Sequence, residues 1–173
     1  MAIKGRSYLK TSWAFEERPV ASSKLNTWDD RIESALELAY FLLSQAWGGG
    51  DGVIRKASVD DLKVSAKLTP GMSVEVAPGY GFVSGFPYHL ALLTETIEVV
   101  APTTDPRIDL VQARLDNWDV SVVPGVEAVT PVAPVADADS IALGELYLRP
   151  GMSSIKDSDD ATNGYIIDVR QFI

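Results

Sequence analysis

The stretch PRIDLVQARLD, from Pro106 to Asp116, sets Arg107, Asp109, Arg114 and Asp116 into an apolar alternation. Two carboxylates near one another are what general acid and base work on a sugar requires. Asp109 and Asp116 lie seven residues apart, so whether they share a face of a strand depends on any bulge between them. Arg107 and Asp109, two apart, do share a face, and Asp168 and Arg170 repeat that spacing near the C terminus. Opposite charges so placed are expected to pair across neighbouring strands and to fix register, each pair being worth roughly 0.2 to 1 kcal/mol if exposed. The expected role of Arg107, Asp109, Arg114, Asp168 and Arg170 is therefore contact and register, with no catalytic residue.

Other chemistry lacks its parts. The single imidazole, His89, stands in FPYHLALL, and no G-x-S-x-G turn supplies an activated serine, so His89 reads as a strand residue. One His and no Cys leave zinc without its usual ligands. Calcium has a foothold in DSDDATNG, with Asp157, Asp159, Asp160 and Asn163, and in ADADS, with Asp137 and Asp139. The loop lacks the twelve-residue ligand spacing and reads as a solvated acidic turn, so no metal and no cofactor is expected. Gly79, Gly81 and Gly85 are spaced G-x-G-x-x-x-G between strands, which is turn chemistry and not a dinucleotide fingerprint. GGGDG lacks the Lys-Ser or Lys-Thr of a phosphate loop. Trp13, Trp28, Trp47 and Trp118 would stack on sugar rings if aligned, but they are scattered over four segments.

Any such residues need a scaffold, and 173 residues suffice to bury a core. With no cysteine, burial and backbone pairing must hold the fold. A net charge of -9 argues against a nucleic-acid partner, since phosphate neutralisation needs clustered Lys and Arg. The N terminus shows no apolar signal region, so synthesis and assembly in a cytoplasm are expected. The longest apolar run, Ala35 to Trp47, is shorter than the about 20 residues of a membrane span and contains Glu37, so no membrane is expected either.

Three segments follow from pattern. Residues 1–25 have no clean period and read as an extended arm, whose Tyr8, Trp13 and Phe15 are expected to dock on another chain or to pack on their own domain. Residues 26–47 read as one long amphipathic helix, with Asn26 or Thr27 as cap and Gly48 as stop. Trp28, Ile32, Ala35, Ala39, Leu42 and Ala46 fall at alternating spacings of four and three, the seam of a coiled coil. Leu36, Leu38, Tyr40, Phe41 and Leu43 widen the apolar surface nearly all round. Either the helix is sandwiched in its own domain, or copies of it pack about a symmetry axis, which is the favoured reading. Residues 48–173 alternate apolar and polar residues in short runs between Pro, Gly and Asp, predicting an antiparallel β-sandwich or barrel-like domain. VPGVEAVTPVAPVADADS is expected to be an extended, solvated connection.

In this order, MSVEVAPGYGFVSG, PRIDLVQARLD, the Pro-rich VPGVEAVTPVAP, IALGELYLRPGMSSI and the closing IIDVRQFI resemble the structural proteins of tailed-bacteriophage tail tips, baseplates and proximal tail fibres. The resemblance covers much of the chain after the helix and rests on pattern, not on close identity. It implies a non-enzymatic virion protein of the tail, a homotrimeric adaptor that attaches a tail fibre or receptor-binding protein and contacts other tail or baseplate proteins. Rival readings are a head fibre, decoration or collar protein, a small carbohydrate- or receptor-binding β module, and a hydrolase of cell-wall sugar.

Overall fold

Past Gly50 the β-branched and aromatic runs become strands wherever turn residues bracket them. The computed structural model describes residues 22–46, 49–55, 60–91, 94–115 and 119–173. In chain order these hold α1 (Ser22–Ala46), β1 (Gly52–Ile54), β2 (Val64–Ala66), β3 (Ser73–Val76), β4 (Gly79–Val83), β5 (Phe86–Leu90), β6 (Thr94–Glu98), β7 (Arg107–Arg114), β8 (Asp119–Val123), β9 (Ser140–Leu148), β10 (Ile155–Lys156) and β11 (Gly164–Asp168). The expected mainly β fold with one long helix is what the chain forms. It divides after Gly49 into two units, the second of which contains every strand.

The strands make three sheets, ordered β1-β4-β5, β2-β3-β6 and β10-β11-β9-β7-β8. Among the described strand pairs only β10 and β11 run parallel. Ser84 and Gly85, both at positive φ, form the two-residue turn between β4 and β5, the geometry that matches the twist of a tight hairpin. All three sheets feed one core: Val53 from the first, Val74 and Val76 from the second, and Val111, Leu143, Leu146 and Leu148 from the third. Each such side chain contributes about 1.5 to 3 kcal/mol by leaving water. Tyr88 on β5 joins them to β8 by donating its hydroxyl to the Asp119 carbonyl at 3.0 Å. Burial, and secondarily the Asp119 carboxylate, push its phenol up to about 12, which keeps the donor protonated. The C-terminal segment is tied to β1, the Val53 amide donating to the Gln171 carbonyl and the Ile173 amide to the Val53 carbonyl.

β7 and β9 are the centre of the five-stranded sheet. Their pairing slips between Val111 and Gln112, which oppose Gly144 and Ala142, leaving Leu143 as the extra residue of a β-bulge. The buried positions of β9 change parity there, from Ile141 and Leu143 to Gly144, Leu146 and Leu148. β7 is buried from Asp109 to Ala113 without alternation. Val111 and Ala113 belong to the core, whereas Gln112 is bonded to the connection between β8 and β9.

The helix begins at Ser22, four residues before the expected Asn26 or Thr27 cap, so both of those residues lie inside it. Ser22 to Leu25, expected outside the helix because they carry no period alone, belong to it, and residues 1–21 lie outside the described residues. A serine pair shortly after Pro19 suits a helix start, and Leu25, three residues before Trp28, continues the apolar seam. Past the helix, Gly49 and Gly50 adopt positive φ, which glycine adopts without strain. No helix among the described residues is long and apolar enough to cross a membrane.

Candidate assembly surface

Along α1 the large residues of the seam remain open. Leu25, Trp28, Ile32 and Leu42 are 43 to 58% exposed, and so are Leu36 and Leu43 beside them. Ala39 and Ala46 are exposed and Ala35 half-buried. A helix that presents apolar residues at spacings of three and four to water carries the pattern that paired helices bury. Leu25 is a seam residue that sequence reasoning missed, because it was assigned to the arm. Tyr8, Trp13 and Phe15 lie outside the described residues, as do Trp47, Gly48, Asp116 and Trp118.

The charged residues singled out on the strands are placed clearly, and two of the expected pairings are corrected. Arg107 and Asp109 do not pair across strands: the Arg107 Nε and Nη2 donate to the two carboxylate oxygens of Asp109 at 2.7 and 2.9 Å, two residues along the same strand. Arg107 Nη2 also reaches the Val100 carbonyl at 2.8 Å. Asp109, only 2% exposed, accepts a third bond from the Gly125 amide at 2.8 Å. Arg170 and Asp168 repeat the device, with Nε and Nη2 on the two carboxylate oxygens at 2.9 and 2.7 Å and Nη1 on the Asp61 carbonyl. The Arg170 fork, ahead of the other bonds, holds the Asp168 carboxyl below its usual range. The reason is geometric: side chains two apart on a strand share a face and lie within reach of a guanidinium fork, which binds a carboxylate bidentately. Arg114 does pair across strands, its Nε lying 4.0 Å from Asp119, the residue directly opposite on β8.

β7 thus holds the 124–139 connection at both ends. Near its start Gly125 lies on Asp109, and a Cβ there would sit 2.0 Å from the Ile108 carbonyl oxygen, so only glycine lets the backbones approach. Glu127 accepts the amides of Thr103 and Thr104 at 3.0 and 3.1 Å, and these bonds lower its carboxyl below the usual range. The Ala128 amide donates to the Pro106 carbonyl. At the far end the fully buried Gln112 donates to the Asp137 carboxylate at 2.6 Å and to Ser121 Oγ at 3.2 Å, and accepts the Asp137 amide at 2.8 Å. The Leu115 amide donates to the Asp139 carbonyl. The sequence signal for Gln112 was its lone amide in an apolar strand; its partner 25 residues away left no local trace.

The acidic loop is occupied by its own bonds. Asp160 accepts the Asn163 side-chain amide and the Asn163 and Thr162 backbone amides, which together hold its carboxyl down at about 2. Asp159 binds Arg149 at 2.9 Å and Asp157 accepts the Ala66 amide at 2.7 Å. Among the described residues no group of three or more His, Asp or Glu is placed to hold a metal ion. His89 stacks on Tyr80, its cross-strand partner, with ring centroids 4.2 Å apart. The Arg149 guanidinium lies over both rings of the stacked pair Tyr147 and Tyr165, 5.2 and 5.3 Å from their centroids. Compared with known proteins, the chain matches no family model, no curated protein and no solved structure.

Proposed function

We propose that this chain is a structural protein of a tailed-phage virion, a homotrimeric adaptor at the tail tip or baseplate that attaches a tail fibre or receptor-binding protein and performs no catalysis. The observation that carries the self-association is the exposed seam of α1, while the β unit has a core of its own. Polar side chains of β7 support the reading in a second way. Asp109 and Gln112 are engaged with backbone and neighbouring side chains, as parts of a frame are. The placement in a phage tail rests on the sequence resemblance. Antibody-labelled electron microscopy of virions containing this chain tests it. Label at the tail tip or baseplate is the expected result, and label on the head or collar, or none on the particle, contradicts it.

A further inference from the structure

The 124–139 connection presents Val126, Val129, Val132 and Val135 to solvent at 78 to 88% exposure. Their spacing is three throughout, and the residues between them are half-buried apart from Thr130, with one bend at Val129 and Thr130. A repeat of three is that of polyproline II, which sets every third side chain on one edge. Four branched apolar side chains therefore line one edge of the connection as a ridge over nine steps of chain, an upper bound of about 28 Å that the bend shortens. This ridge is not a loose linker, because Asp109, Glu127 and Gln112 bond it to the β unit at both ends. Fixing it in advance lowers the entropy that a binding partner must overcome.

We infer that the valine ridge is the docking surface for the N-terminal arm of a second copy of this chain. The inference rests on the proposed self-association and names the receptor for the arm. Aromatic side chains are what recognises a polyproline-type ridge, and the arm has Tyr8, Trp13 and Phe15. Tyr8 and Phe15 are seven steps apart in the sequence, which if extended would span about 23 to 25 Å, enough to reach at least three of the four valines. Charge agrees as well: residues 1–21 hold four basic and two acidic residues, whereas the remainder holds 11 basic and 22 acidic. The connection itself carries Glu127, Asp137 and Asp139 and no Lys or Arg. Copies joined through their helices would carry several arms and several ridges in one assembly, which raises the effective concentration of arm for ridge over that of free chains.

The test uses the full-length chain with p-benzoylphenylalanine at Val129 and Ala14→Ser as a mass mark in its own arm, coexpressed with the unmarked chain. After irradiation, cross-linked peptides should join the connection to unmarked residues 1–21, which only another copy can supply. Cross-links confined to the marked arm, to other segments, or absent from a chain that sedimentation shows to be oligomeric overturn the ridge inference and leave the self-association standing. A monomer overturns both. As a second measurement, Val129→Asp with Val132→Asp should leave the thermal midpoint unchanged and speed tryptic cleavage after Arg6 and Lys10 about tenfold. An unchanged cleavage rate contradicts the inference.

Discussion

Asp109 receives three hydrogen bonds, two from the Arg107 fork and one from the Gly125 amide, in a place that water hardly reaches. An exposed register charge would contribute less than about 1 kcal/mol, but removing one partner of a buried pair costs on the order of 3 to 5 kcal/mol. Asp109→Ala should therefore lower stability by about 3 kcal/mol in urea unfolding, with little dependence on salt, since buried pairs are weakly screened. A loss of a few tenths that vanishes at high salt would return Asp109 to the surface class. The carboxylates also set an acid response. The carboxyls of Asp160, Glu127 and Asp168 are held below their usual range in the fold. Their contribution is present above the unfolded pKa and is lost as pH falls through the folded one, for Asp160 from 3.8 toward about 2. The thermal midpoint should fall across that window. Asp160→Asn should start lower at pH 7 and converge on the wild type near the bottom of it; parallel curves would count against the loop bonds. Which residues carry charge was legible in the sequence, but not their partners. A spacing of two allows a fork within one strand or a pair across two, and the third bond to Asp109 comes from Gly125, 16 positions on.

At the scale of elements, apolar runs between turn residues marked the long central strands, since PRIDLVQARLD and IALGELYLRPGMSSI contain β7 and β9. The shortest strand, β10, has two residues and thus no full period to read. The helix was legible from its apolar seam, and its start was not, since Ser22 to Leu25 gain their meaning only from the seam they continue. The prolines of the 124–139 connection predict a solvated segment. Its valine side chains are exposed, while its backbone is fastened through Asp109 and Gln112, contacts that no local pattern encodes. Gly125 is the residue on which that fastening turns. Gly125→Ala would force the Cβ into the Ile108 carbonyl, so the connection must shift at a cost of roughly 1 to 3 kcal/mol. Hydrogen exchange at the Gly125 position and at Ala128 should accelerate in that variant. Protection equal to the wild type would mean that the backbones can separate freely.

For the whole molecule the contrast lies between a β unit with its own core and a helix that leaves six large apolar residues open. An exposed apolar stripe of that length is the usual mark of a surface awaiting a partner, and its heptad spacing suits another copy of itself. Ile32→Asp with Leu42→Asp places two charges on positions that are exposed within one chain, so the fold of the β unit should be untouched. In an assembled seam each charge would lack a counter-ion and cost several kcal/mol. Sedimentation equilibrium of the wild type and this double variant addresses self-association most directly. The wild type should show three times the 18.7 kDa of one chain, and the variant a single chain with an unchanged unfolding midpoint. A wild type that stays at 18.7 kDa at assembly concentrations, or a variant that still associates, would contradict it.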